Sequence, residues 1–300
     1  MSKVIVVGSS NTDLVFETPK FPAEGETVIG GDFEVISGGK GANQAVAAAR
    51  AGADVLFLTK VGDDEFGSNA IAVYTKEGIN TSFIEKQKGV ASGTAMIMVN
   101  QNSGENAIIV APGANNHLNE QNIDQITDQI TATTTVLCQL EVSLNTVDYL
   151  LTQAKHKKAL TILNPAPYQE ISLELLKKVD IITPNETETL GLTGIELVDK
   201  QSIERAAFSL LQMVNKAVII TLGNKGVYFI SHEQKGKFIP TSKVKAVDTT
   251  AAGDVFNGYF AAALQDNELE TAIELGMKSA TLSVTRKGAQ PSIPFRNEID

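Results

Sequence analysis

A doubly wound, mostly parallel α/β sheet flanked by helices, with a small discontinuous β-sheet lid, is the fold that this 300-residue sequence predicts. Three observations carry that expectation. Short β-branched runs recur along the chain, helix-like stretches with apolar residues three and four apart lie between them, and two segments break the rhythm with period-two alternation. Residues 1–300 read as one α/β domain, because no internal repeat, low-complexity tract or interdomain linker divides them.

The strand candidates are residues 4–7, 55–58, 135–140, 159–163, 180–183 and 217–222, each bounded by Gly, Pro, Asp or Asn. Nearly continuous apolar character is what strands buried on both faces require, so these form the parallel sheet. The helix candidates between them are residues 42–51, 65–77, 145–155, 203–214 and 254–264, several closed by a glycine such as Gly52 or Gly78. Residues 13–36 and 94–110 carry turn signals (Pro19, Pro22, Gly25, Gly30, Gly31; Gln101-Asn-Ser-Gly104) and no helical period. Each stands where a βαβ unit would have a short connection. The two are expected to meet as one small sheet over a site, with two unrelated surface hairpins as the alternative.

Composition narrows the function classes. At 43% hydrophobic and 20% charged the chain is an ordinary folded protein. Its 25 Lys+Arg against 35 Asp+Glu leave a net charge of −10, which repels phosphate backbones and anionic lipid, so neither nucleic acid nor a membrane is an expected partner. No apolar run approaches the ~20 residues that span a bilayer, and Lys3 precedes only Val4 to Val7 before Gly8, too little for a signal sequence; a cytoplasmic location is the expectation. Cys138, the single cysteine, lies in an apolar run and reads as core. His117, His156 and His232 lack metal-ligand spacing and read as surface residues.

The segment Asp248-Thr-Thr-Ala-Ala-Gly-Asp254 carries the most chemistry. Small residues before a helix leave the N–H groups of about Ala252, Gly253 and Asp254 converging on one spot that the helix dipole makes favourable for an anion. An acid inside such a cradle would repel a bound phosphate. Asp254 therefore makes sense as the acceptor of a proton from a hydroxyl that attacks a phosphoryl group, the alternative being a simple first-turn acid. A second turn, Ser37-Gly-Gly-Lys-Gly-Ala-Asn43, is neither a Walker A loop nor a dinucleotide fingerprint, yet its glycines let backbone approach a ligand while Lys40 and Asn43 offer donors. Asn11, Asp13, Glu141, Asn185 and Glu188 all follow predicted strands, so they gather at the carboxyl edge of the sheet, although each could be a helix cap or loop residue. The turn of residues 221–226 brings Lys225 to the same edge. Together these pieces favour phosphoryl transfer to a hydroxyl.

These motifs, with Gly8-Ser-Ser-Asn-Thr-Asp13, Asn164-Pro-Ala-Pro167 and Thr285-Arg-Lys-Gly-Ala-Gln-Pro-Ser292, resemble the PfkB-type, ribokinase-like family of sugar kinases. The resemblance runs over nearly the whole chain. It implies ATP-dependent phosphorylation of D-ribose at the 5-hydroxyl, with Asp254 as base and the amides of Ala251, Ala252 and Gly253 as anion hole. By the same resemblance Asn11, Asp13, Gly39, Lys40, Asn43 and Glu141 would hold the sugar, and Asn185, Thr221, Gly223, Lys225, Gly226 and Gly253 would contact ATP. Glu188 would act on magnesium through water. An activating potassium ion would be held by Asp248, Thr250, Ser283, Arg286, Gly288 and Ser292, and two lids would clasp in a homodimer. Ala251 departs from the glycine usual in the family. A kinase for deoxyribose, another sugar or a nucleoside, and a catalytically silent sugar-binding regulator, are the competing readings. The polar sugar-contact segments argue against a nucleoside, whose base would need an apolar wall. Because a loose transition state needs little help from a strong base, an ordinary carboxylate pKa is expected to suffice at Asp254.

Overall fold

The structure is a computed structural model that describes residues 3–299. An eight-stranded sheet forms its centre, and five parallel neighbours of the strand Lys3–Val7 make up most of it: Asp54–Leu58 on one side and Thr134–Cys138, Leu160–Leu163, Ile181–Ile182 and Ala217–Thr221 in succession on the other. Side-chain alternation along a strand explains the two cores. Val4 and Val6 face one apolar layer with Ala45, Val46, Phe256 and Phe260, whereas Ile5 and Val7 face the other with Val147, Leu150, Leu151 and Leu210. Helices Lys40–Arg50, Ala252–Ala263 and Leu269–Ser283 supply the first layer; Leu144–His156 and Lys200–Leu211 supply the second. The sheet is thus covered on both faces, which is what its continuous apolar strands demand. Cys138 is fully buried here, and desolvation pushes its thiol pKa up to about 12.

One departure from the sequence expectation has a simple cause. The sheet continues past Ala217–Thr221 with the antiparallel strands Val227–Ser231 and Lys237–Ile239, which the search for buried parallel runs overlooked because they are short and partly polar. His232 is exposed, as expected, with Nε2 3.3 Å from the carbonyl oxygen of Val214.

A second, four-stranded sheet stands apart from the first. The antiparallel pair Asn11–Thr18 and Phe33–Gly38 joins the antiparallel pair Gly93–Asn100 and Asn106–Ala111 through parallel pairing of Asn11–Thr18 with Gly93–Asn100. Its residues Phe33, Val35, Ile108, Ile109 and Val110 are each more than half exposed. Neither face of the outer strand Asn106–Ala111 is packed. Among the described residues no helix is long and apolar enough to cross a membrane.

Candidate active site

The cleft lies where the carboxyl ends of the parallel strands meet the base of the second sheet. Helices Lys40–Arg50 and Ala252–Ala263 form its floor. They touch closely at Gly258, where a Cβ would lie 2.5 Å from both Gln44 O and Ala47 Cβ, so a larger residue there would push the helices apart. That approach sets the first turn of one helix against that of the other. Asp254, nearly buried, accepts from Asn43 Nδ2 at 3.0 Å and from Gln44 Nε2 at 2.9 Å. Burial raises its pKa above the usual carboxylate range, while Lys40 and the two amides act against that rise. The carboxyl group is therefore a somewhat stronger base than an ordinary one, more than a loose transition state requires.

Ala251 caps this helix at φ 61° and ψ 8°, the left-handed region, and no side-chain hydrogen bond assists it. The bend turns the chain so that Ala252, Gly253 and Asp254 enter the helix side by side. A Cβ on Gly253 would meet nothing within 4 Å, so the space over this terminus is open. The Ala252 amide is partly engaged, donating to Thr249 O at 3.3 Å.

Charged groups surround the base. Lys40 opens its helix, and although burial would lower its pKa, the carboxylates of Asp254, Glu141, Glu188 and Asp13 outweigh that and hold it above the usual value. Glu141 accepts from Ser9 Oγ at 2.5 Å and from Lys40 N at 3.0 Å, which ties the first strand's exit to the Gly39–Lys40 turn. Asp13 lies at the base of the second sheet. Desolvation, with the nearby charges of Glu141 and Asp254, pushes its pKa up to about 6 against the opposing pull of Lys40. A Cβ on Gly38 would fall 2.2 Å from an Asp13 carboxylate oxygen, so that glycine is what makes room for the acid. Asn11 is buried and accepts from Asn115 Nδ2 at 2.7 Å. Asn43 Oδ1 is buried with no hydrogen-bond partner among the described residues. The structure thus brings Asn11, Asp13, Gly39, Lys40, Asn43, Glu141 and Asp254 to one cleft, which a polyhydroxyl compound could fill with hydrogen bonds in both directions.

The remaining candidates flank the open side of the helix terminus. Asn185 caps the helix Glu186–Thr193, and Glu188 closes a capping box, its Oε1 accepting from Asn185 Nδ2 and its Oε2 from Asn185 N, both at 2.9 Å. Burial raises the Glu188 pKa. Thr221 N donates to Pro184 O at 2.9 Å, joining the Asn185 segment to the turn that holds Gly223 and Gly226. Lys225, read from sequence as an ATP contact, pairs with Glu186 at 3.0 Å on the surface. Sequence reading missed a cleft of about 450 Å3 beside this turn, lined by Ile239, Pro240, Val244, Met277, Leu282 and Thr285. Only the turn glycine hinted at it: Gly226 lies against Ile239 O so closely that a Cβ would clash.

Asp248 stitches two loops together. Its Oδ1 accepts from Thr250 N and Oγ1, its Oδ2 accepts from Gly288 N at 2.8 Å, and these bonds hold its pKa low despite partial burial. Arg286 pairs with Glu298 at 2.6 Å. The hydroxyls of Ser283 and Ser292 donate to Ala280 O and Ala289 O. Among the described residues no group of three or more His, Cys, Asp or Glu could hold a metal ion by itself.

Comparison with known proteins adds to this geometry. Residues 1–296 match the pfkB family carbohydrate kinase profile. The ribokinase of Haemophilus influenzae is 46% identical over 294 residues, covering 98% of this chain and 95% of that protein. The deoxyribokinase of Salmonella typhi is 40% identical over 293 residues, 97% of this chain and 95% of that one. Among solved structures, Arabidopsis thaliana ribokinase complexed with ribose and ATP superposes with a TM-score of 0.92 at 29% identity, covering 99% of this chain and 97% of that chain.

Proposed function

The chain belongs to the pfkB family of carbohydrate kinases, and from that premise and the cleft we infer that it catalyses ATP-dependent phosphorylation of D-ribose at the 5-hydroxyl, giving ribose 5-phosphate and ADP. The observation that carries the chemistry is a buried carboxylate, Asp254, fixed by two amides in the first turn of a helix whose N-terminus is open above Gly253. Asp254 takes the proton of the 5-hydroxyl as its oxygen bonds to the γ-phosphorus, the bond from that phosphorus to the β,γ-bridging oxygen breaks, and ADP leaves with the electron pair. The amides of Ala251, Ala252 and Gly253 with the helix dipole stabilise charge on the transferring group. Asn11, Asp13, Gly39, Lys40, Asn43 and Glu141 hold the sugar, and the unpartnered Asn43 Oδ1 accepts from one of its hydroxyls.

Asn185, Thr221, Gly223 and Gly226 border the phosphates, and the apolar walls at Ile239, Pro240, Met277 and Leu282 fit a purine base. Lys225 reaches phosphate only by leaving Glu186. Glu188 has lone pairs to spare beyond its two bonds from Asn185, so it suits a contact through water with magnesium carried by ATP. When bound with ATP, magnesium would supply charge neutralisation on the phosphates. The loops joined by Asp248 offer oxygen donors only, from Asp248, Thr250, Ser283, Gly288, Ser292 and the Arg286 carbonyl, a chemistry suited to potassium. The second sheet covers the sugar as a lid, and its exposed apolar face pairs with that of a second copy in a homodimer. A cytoplasmic location fits these substrates.

The test is coupled ADP release over a panel of ribose, deoxyribose, other sugars and nucleosides. Ribose should give the highest kcat/KM. A higher value with deoxyribose or a nucleoside would reassign the substrate, and binding without ADP release would make the chain a sugar-binding module.

A further inference from the structure

One fully buried polar side chain in the cleft is not needed for sugar recognition: Gln44, in the helix Lys40–Arg50. Its Nε2 donates to Asp254 Oδ1 at 2.9 Å and to Asn164 Oδ1 at 3.0 Å, and its Oε1 accepts from Gln139 Nε2 at 2.6 Å. The two ends of an amide have the same shape and differ only in what they can bond, so their order must follow from chemistry. Here it is set from the far end of the chain of bonds. Asn164 Nδ2 donates to the backbone carbonyl of Thr183 at 3.1 Å, and a carbonyl oxygen can only accept. Asn164 must therefore turn its Oδ1 to Gln44, Gln44 must answer with N–H, and Gln139 must donate to Gln44 Oε1. An ionised Asp254 also only accepts, so the order is consistent at both ends. Reversing Gln44 would set its oxygen against those of Asp254 and Asn164, all three residues being buried, a costly arrangement.

We propose that Gln44 is a positioning residue for phosphoryl transfer: locked by Gln139 and Asn164, it clamps one oxygen of Asp254 so that the base holds one rotamer and stays ionised. The proposal rests on the reading of Asp254 as the base. Facing Asp254 are Lys40 from the same helix as Gln44, Glu141 beyond the strand Thr134–Cys138, Asp13 from the second sheet and Glu188 from the helix Glu186–Thr193. Three of these four are carboxylates and burial acts in the same direction, so loss of the Gln44 N–H leaves the proton on Asp254 to higher pH.

Gln44→Met keeps the side-chain length and removes the donor. Relative to the parent enzyme it should lower kcat by roughly 10- to 100-fold, leave the ribose KM within about threefold, and move the acid limb of the kcat profile up by about one pH unit. A residue that only fills space would not move that limb. Should Gln44→Met fail to fold, Gln139→Met asks the same question, since it leaves Asp254 untouched and frees Gln44 to turn; kcat should fall roughly three- to tenfold with the limb again moved up. Parent-like kcat and pH dependence in whichever variant folds, with Asp254→Asn inactive, would overturn the proposal and leave the base assignment standing. An active Asp254→Asn would sink the base assignment instead.

Discussion

Asp13 shows how a single residue can work against the fold that carries it. Its folded pKa of about 6 lies above that of a free carboxyl, about 3.9. Between those two values the folded state binds more proton than the unfolded one, so this group lowers stability as pH rises through that window, and the loss persists above it. Asp13→Asn should therefore raise the melting temperature at pH 8 and have no such effect below about pH 4. The same substitution should weaken ribose binding, because an ionised carboxylate accepts from two hydroxyls and an amide oxygen presents fewer lone pairs. In the parent enzyme ribose affinity should fall as pH drops through about 6, measured by calorimetry. Equal melting temperatures at pH 8 would show that the buried charge costs the fold nothing.

At the scale of elements, the loops around Asp248 show what a sequence can and cannot reveal. Short β-branched runs and a small-residue turn before a helix are local signals, so the parallel strands and the Asp254 cradle were legible in the chain. Bonds between distant segments were not. Gln139 and Gln44 lie 95 residues apart and Asn164 lies 120 from Gln44, and nothing in their neighbours announces that they meet. Likewise Arg286 turned to Glu298 and Lys225 to Glu186, pairings that depend on how helices and loops pack. The cleft beside the 221–226 turn escaped notice because its walls come from residues 239–244 and 274–285 together. Where Asp248 holds Thr250 and Gly288, replacing sodium by potassium at constant ionic strength and fixed magnesium should raise turnover, and Asp248→Ala should abolish most of the rise. Identical turnover in the two salts would remove the monovalent site.

For the molecule as a whole, two questions decide the account: what the second sheet packs against and what the cleft does. A sheet with Phe33, Val35, Ile108, Ile109 and Val110 each more than half exposed invites a partner, so light scattering at micromolar concentration should give twice the 31.9 kDa chain mass. Monomer alone would leave that face without the assigned partner. A chain of net charge −10 that handles ATP must also offset repulsion at the cleft, where Lys40 stands among Asp13, Glu141, Glu188 and Asp254, and the N–H groups of the helix terminus at Ala252 act in that direction. The most direct test of the central claim compares the parent enzyme with Asp254→Asn. Ribose binding by calorimetry should survive largely intact while ribose-dependent ADP release falls by about 10²- to 10⁴-fold; near-parent turnover in a variant that still binds ribose would contradict the assignment of Asp254 as the base.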